Sequence, residues 1–208
     1  MRPRLPLFFS AQAVYMKRTR CREEVMRVTV TELEGLLLLT PTVHRDQRGF
    51  FLESYNERAF ADIGITCHFV QDNHARSEQA GVMRGLHFQL PPYSQAKLVW
   101  VTRGAVFDVA VDVRVNSTTY GKSFSCRLDA ENCQRLFVPR GFAHGYMTLE
   151  PGTEFQYKVD NVYSPAHDSG ILWNDPALGI AWPGLEPVLS AKDKVLPRLA
   201  DFTSPFTL

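Results

Sequence analysis

No stretch of the chain is apolar for anything near the ~20 residues that cross a bilayer. The apolar runs at 36–39 and 109–111 are far shorter, so the body is not read as membrane-spanning. Charge of one sign is missing too. Lys plus Arg total 23 against 22 Asp plus Glu, a formal net charge of +1. No global field gathers nucleic acid or anionic lipid, and any anion has to be bound locally. Cysteine is scarce: Cys21, Cys67, Cys126 and Cys133 include no C-x-x-C pair. A chain of 208 residues does not need staples to build a core. Free, mostly buried thiols in a reducing cytoplasm fit best, although Cys126 and Cys133 would face each other if their strands formed a hairpin. Internal repeats, low-complexity tracts and polar linkers are also absent, while 45% apolar and 22% charged residues are ordinary globular values. One folded domain is expected.

The first residues join a basic start to apolar ones and an A-x-A-like end, as a signal peptide does. Against that reading, the apolar part at 5–9 is shorter than the roughly 7–15 residues of such a core, contains Pro6, and is followed by Lys17-Arg-Thr-Arg20. Residues 1–25 are therefore expected to be an extension before a single domain over 26–208, with Met26 a candidate start.

From residue 36 onward there is a cadence of short apolar or alternating runs between turn signals: 36–44, 49–55, 68–71, 83–89, 97–103, 105–114, 124–129, 134–138, 143–149 and 153–163. In the run 106–114, Phe107, Val109, Val111 and Val113 share one face and Asp108, Ala110, Asp112 and Arg114 the other, which is strand periodicity. Gly104, Gly121 and the Pro139-Arg-Gly141 turn punctuate the runs. Helical signals are few: residues 56–64, with Asn56 as cap and Gly64 as stop, and a short one at 197–202. The pattern is mainly β and predicts a jelly roll with a few short helices.

Among six histidines, His87 and His144 stand in strand-like, glycine-flanked segments where a ligand can approach the backbone. Alternation over 83–89 places Arg84 and Leu86 opposite Met83, Gly85 and His87. Alone, each histidine reads as readily as a satisfied structural residue. The spacing is similar to that of metal-binding cupins, whose first motif gives H-x-H and a later Glu and whose second gives another His. Here Gln89 stands at the second-His place and no carboxylate fills the Glu place, where Gln95-Ala-Lys97 occurs. Two ligands remain where catalytic sites usually take three, and Lys97 would repel the ion, so the site is read as metal-free. Without metal, a histidine abstracts a proton if one group orients it, a cation steadies the oxyanion and an acid returns a proton. Lys97, Tyr157 and Asp193 are candidates for those parts, each with an ordinary alternative as a strand end, a core aromatic or a helix cap.

Read together, HRDQRGFF at 44–51, QDNH at 71–74, RGLHFQ at 84–89, PRGFAHG at 139–145, WNDP at 173–176 and SAKD at 190–193 resemble the dTDP-4-dehydrorhamnose 3,5-epimerase family, in family order over about 28–201. The resemblance implies a cupin-type double-stranded β-helix, usually a homodimer. It also implies an enzyme that acts without a cofactor on a dTDP-linked 4-keto-6-deoxyhexose, inverting C3 and C5 on the way to dTDP-L-rhamnose. By similarity His87 is the base in a dyad with Asp193, Lys97 steadies the enolate, and Tyr157 is the acid for the opposite face. Arg84 and His144 match positions near the sugar and diphosphate. Arg48, Glu53, Gln71, Asp72, Asn73 and Tyr163 match nucleotide or sugar contacts. Asp168 falls near a nucleotide-binding acidic position that the family usually fills with the longer Glu, and Lys192, of the Lys-Asp pair, is also counted among the substrate-binding residues. The WNDP segment is read as a fold marker. A single-position epimerase would use the same residues. A metal-dependent cupin or a non-catalytic nucleotide-sugar binder would put the same fold to a different use.

Overall fold

A computed structural model describes residues 26–208. The expected extension over 1–25, with Cys21, lies outside the described residues. Strands are β1 (Met26–Val30), β2 (Leu37–Pro41), β3 (His44–Asp46), β4 (Gly49–Phe51), β5 (Gln71–Ser77), β6 (Met83–Gln89), β7 (Lys97–Arg103), β8 (Ala105–Asp112), β9 (Ser123–Asp129), β10 (Arg135–Val138), β11 (Phe142–Thr148), β12 (Thr153–Val159) and β13 (Asp168–Gly170). One sheet runs β1-β2-β10-β7-β12-β5, the other β13-β6-β11-β8-β9, and β3-β4 form a separate ribbon. The strand pairs within the two sheets are antiparallel, as a jelly roll requires.

The two sheets face each other through Val99, Val101, Leu136, Val138 and Phe155 on one side and Val106, Ala110, Leu128, Phe142 and Tyr146 on the other. Their outer faces are covered as well. Ile171, Leu178 and Phe206 from the C-terminal part pack on Leu86, Phe88, Val109 and Val111, and Phe60 and Ile65 pack on Leu39, Leu98 and Trp100. Burial on both faces explains why β7 and β8 read as nearly continuous apolar runs. It also resolves the split face of β8: the valine face meets the C-terminal cover, while Asp108 and Asp112 point inward and are fully buried. Asp112 is saturated there by Arg114, Ser117 and Thr119.

The helix expected at 56–64 is α1 (Glu57–Asp62), with Asn56 accepting from the N–H groups of Arg58 and Ala59 and Gly64 following at φ +94°. At 197–202 there is a single 3₁₀ turn, Leu199–Asp201. The buried Asp175 of the WNDP segment accepts from the N–H groups of Ala177 and Leu199, tying that turn down. Cys67, Cys126 and Cys133 are free, and the hairpin that would pair the last two does not form. The strands that follow one another there, β9 and β10, belong to different sheets.

Two expectations fail for informative reasons. The run at 68–71 only leads into β5, a polar strand whose Gln71, Asn73 and Ala75 turn inward while Asp72, His74 and Arg76 are exposed. The strict alternation expected for 83–89 is broken. β6 advances from Arg84 to His87 while β11 advances only from Tyr146 to His144. The extra residue in β6 is a bulge that reverses the parity, so Arg84 and His87 end on one wall. Glycines allow it: a Cβ on Gly85, at φ +135°, would lie 2.5 Å from the Gly145 Cα.

Gly85→Ala should therefore lower the free energy of unfolding by about 1–3 kcal/mol, since only backbone can yield there. Urea denaturation checks this, and a loss below about 0.5 kcal/mol would mean the two strands are not in this close contact.

Candidate active site

The bulge sets the site's first wall. On β6 and β11, His87 and His144 are register partners, and both border a cavity of about 550 Å³ between the sheets. The other wall comes from β7 and β12, which carry Lys97 and Tyr157, while Arg84 stands with His87 on the first. Tyr163, Asp168, Lys192 and Asp193 complete the lining from the C-terminal part.

His87 Nε2–H donates to Asp193 Oδ1 at 2.6 Å, which leaves Nδ1 as the nitrogen able to take a proton. The imidazole is 30% exposed and its carboxylate partner 4%, so the acid is screened from water while the ring is reachable. Burial pushes the Asp193 carboxyl up, but the hydrogen bond and charge of His87, the Ser190 hydroxyl and Lys192 together hold it below its usual range. It stays ionised, as a partner for a developing imidazolium must. Lys97 Nζ donates to the His87 carbonyl at 3.2 Å. Burial pulls this ammonium down to about 8, opposed by Asp108 and Asp168 and assisted by Lys192. Burial raises the Tyr157 phenol, Arg84 counteracts and Asp168 adds to the rise, so the group remains protonated at neutral pH and can act as a donor.

Nine of the residues singled out in the sequence thus share one cavity: His87, Asp193, Tyr157, Lys97, Arg84, His144, Tyr163, Asp168 and Lys192. Gln71 and Asn73 lie beside it: Gln71 accepts from the Tyr163 N–H and donates to Asn73, which is the register partner of Tyr157. Asp72 does not join them. Strand alternation turns it outward, where it accepts from Lys158 Nζ at 2.7 and 3.0 Å. Arg48 and Glu53 are not brought to the cavity of their own chain either. Arg48 pairs with Asp46 at the tip of the β3-β4 ribbon, and Glu53 accepts from Asn56. Gln89, at the place of a second cupin histidine, spends its amide on the backbone of Tyr93, Val162 and Ser164.

Asp108 was missed. It is fully buried, accepts from His144 Nε2 at 2.9 Å, and keeps its second oxygen without a partner among the described residues. The alternation in β8 places it with Ala110, but nothing local says that this face looks into a cavity. Tyr146 was missed for the same reason; its ring stacks on Phe155 with centroids 4.0 Å apart and lines the same space.

An imidazole backed by a buried carboxylate on one wall, with an ammonium and a protonated phenol on the other, is a jelly-roll arrangement able to take a proton on one side of a ligand and give one on the other. Known proteins narrow the class. The chain belongs to the dTDP-4-dehydrorhamnose 3,5-epimerase family, whose model matches residues 30–201. It is 53% identical over 175 residues to the dTDP-4-dehydrorhamnose 3,5-epimerase of Escherichia coli (strain K12), covering 82% of this chain and 93% of that one. Among solved structures, the same enzyme from Bacillus anthracis str. Ames, with TDP and PPi bound, is 49% identical with a TM-score of 0.81, over 83% of this chain and 99% of that one. A Legionella pneumophila epimerase in complex with dTDP-4-keto-L-rhamnose is 42% identical, also at a TM-score of 0.81, over 84% and 93%.

The buried ammonium offers a check that does not depend on turnover. By NMR of ¹³C-labelled lysine, the Lys97 side chain should titrate with a midpoint near 8. It is then largely charged at neutral pH and loses its charge as pH rises; a midpoint at the ordinary value of about 10.4 would contradict its burial.

Proposed function

We propose that the chain epimerises dTDP-4-dehydro-6-deoxy-D-glucose at C3 and C5, giving dTDP-4-dehydro-L-rhamnose for dTDP-L-rhamnose biosynthesis. The observation that carries this reading is the placement of His87 and Tyr157 on opposite walls of one cavity. Inversion demands two groups, because a single residue returning its own proton to the face it came from restores the starting centre.

In this reading the 4-keto group acidifies the neighbouring C–H bonds. His87 Nδ1 takes the proton, Asp193 stabilises the imidazolium, and the C–H electron pair moves onto the ketone oxygen beside the Lys97 ammonium, which needs no reorganisation to meet it. Tyr157 then delivers its proton to the opposite face, and solvent restores both groups. Repeating the step at the second carbon completes the product. No cofactor is needed, since the substrate's own carbonyl is the electron sink. Arg84 and His144 serve the diphosphate end, where a guanidinium offers paired donors to phosphate oxygens. The nucleotide end is assigned to Gln71, Asn73 and Tyr163, and Asp72, turned outward onto Lys158, is left out of it.

Arg48 and Glu53 enter this scheme through a homodimer. Their ribbon stands out with Phe50 and Phe51 58% and 71% exposed, so we infer that it reaches the cavity of a second copy. Free thiols at Cys67, Cys126 and Cys133 fit a cytoplasmic enzyme. No helix among the described residues is long and apolar enough to cross a membrane.

Incubation with the 4-keto substrate in deuterated water, followed by NMR, tests the reading. Deuterium should enter at both C3 and C5, and label at one carbon only would mean a single-position epimerase. With Tyr157→Phe, epimer formation should fall by about 10²–10⁴-fold. Exchange should outlast inversion, because His87 still forms the enolate and returns solvent deuterons to the original face. Inversion at the parental rate would remove Tyr157 as the acid.

A further inference from the structure

Asp193 lies on neither strand nor helix. The backbone anchors nearest to it are Val188, which exchanges hydrogen bonds with Gly81 and Met83, and Pro197, whose carbonyl accepts from the Leu172 N–H. Between these points the chain makes a turn, closed by Val195 N–H on the Lys192 carbonyl, and Val195 itself is 79% exposed. Two polar side chains of this span reach across to the barrel. One is Asp193, on His87. The other is its neighbour Lys192, whose Nζ pairs with Asp168 Oδ2 at 2.5 Å.

Asp168 begins β13, the strand hydrogen-bonded to β6. In that register Asp168 pairs with Gln89 and Gly170 with His87. The ion pair therefore ties the residue before Asp193 to the strand beside His87, in parallel with the dyad bond itself. The Tyr163 hydroxyl donates to the same Asp168 oxygen at 3.1 Å, holding the carboxylate in place. Electrostatics argue for this use over direct contact with the ligand. A bare carboxylate in the wall of a cavity that receives a diphosphate would repel it, whereas one engaged by an ammonium and a phenol is neutralised.

We propose that Asp168 is a positioning residue: through Lys192 it fastens the 189–196 loop so that Asp193 stays on His87 Nε2. This deepens the proposed function and rests on it. The pair is half open to water, with side-chain exposures of 41% for Lys192 and 22% for Asp168. Such pairs add little to folding stability, so their loss acts on placement and not on the fold. A small displacement of a catalytic partner, in contrast, is felt strongly in rate.

The test is a double-mutant cycle of Asp168→Asn and Asp193→Asn, with kcat, dTDP affinity and thermal midpoint measured for each protein. Asp168→Asn alone should lower kcat by about 10- to 100-fold with dTDP affinity within about twofold, and Asp168→Glu should recover most of the rate. In the Asp193→Asn background the same change should alter kcat less than about twofold, because nothing is left to position. Equal losses in both backgrounds, a loss confined to KM and dTDP affinity, or no loss at all would each overturn the proposal. Absence of turnover by the parental protein would instead strike the proposed function. For that case the downfield Nε2 proton of His87 in the NMR spectrum decides: it should weaken or move upfield in Asp168→Asn, and an unchanged proton overturns the latch by itself.

Discussion

The hydrogen bond between His87 and Asp193 joins residues 106 positions apart at 2.6 Å, and most of the architecture can be understood as what makes that bond and keeps it useful. The imidazole has to come from a strand rigid enough to define its place, which β6 supplies by lying between β13 and β11 in the second sheet. The carboxylate has to be shielded from water yet ionised, and it is: buried to 4% side-chain exposure, with Ser190 and Lys192 close by to hold the charge. Once Nε2–H is given over to Asp193, the other ring nitrogen is the one free to take a substrate proton. The interior of the barrel is then a two-walled chamber, with the imidazole on one sheet and the Tyr157 phenol on the other.

That chamber also explains where charge is tolerated in the core. Lys97, Asp108 and Asp193 are unusual guests among apolar side chains, because an isolated buried charge is strongly unfavourable. Asp108 opposes the desolvation of Lys97 and also takes the His144 hydrogen bond. Asp112 shows the contrasting case. There every demand of the carboxylate is met by neighbours on the following turn, and the group is structural. The second oxygen of Asp108 has no partner among the described residues, so its polar network is not finished in the way that of Asp112 is.

Much of this was legible in the residues, and the parts that were not have physical reasons. The expected runs at 83–89 and 97–103 coincide with β6 and β7 because both strands are flanked by turn residues and packed on apolar neighbours. β5 escaped because its inward side chains, Gln71 and Asn73, face the cavity region and so show no apolar period. Arg84 was set on the wrong wall by a period of two, which cannot count the residue that the Gly85 bulge inserts. Asp108 gave a correct face but no role, since only the opposite sheet turns that face into a chamber. The four proposed catalytic residues were joined by the family resemblance and not by spacing: His87, Lys97, Tyr157 and Asp193 come from three strands and a loop, no local pattern joins them, and the fold brings them to one cavity. Arg48 and Glu53 lie on a ribbon that a single chain leaves outside its own cavity.

The central claim is that Asp193 fixes the tautomer of His87 so that Nδ1 faces the substrate as the base. The ¹⁵N chemical shifts of the His87 ring at neutral pH measure this directly. The account predicts a protonated, pyrrole-like Nε2 and an unprotonated, pyridine-like Nδ1. A protonated Nδ1 beside a bare Nε2 would contradict it, because the carboxylate would then hold no proton from the ring and the nitrogen facing the cavity would have no room for one.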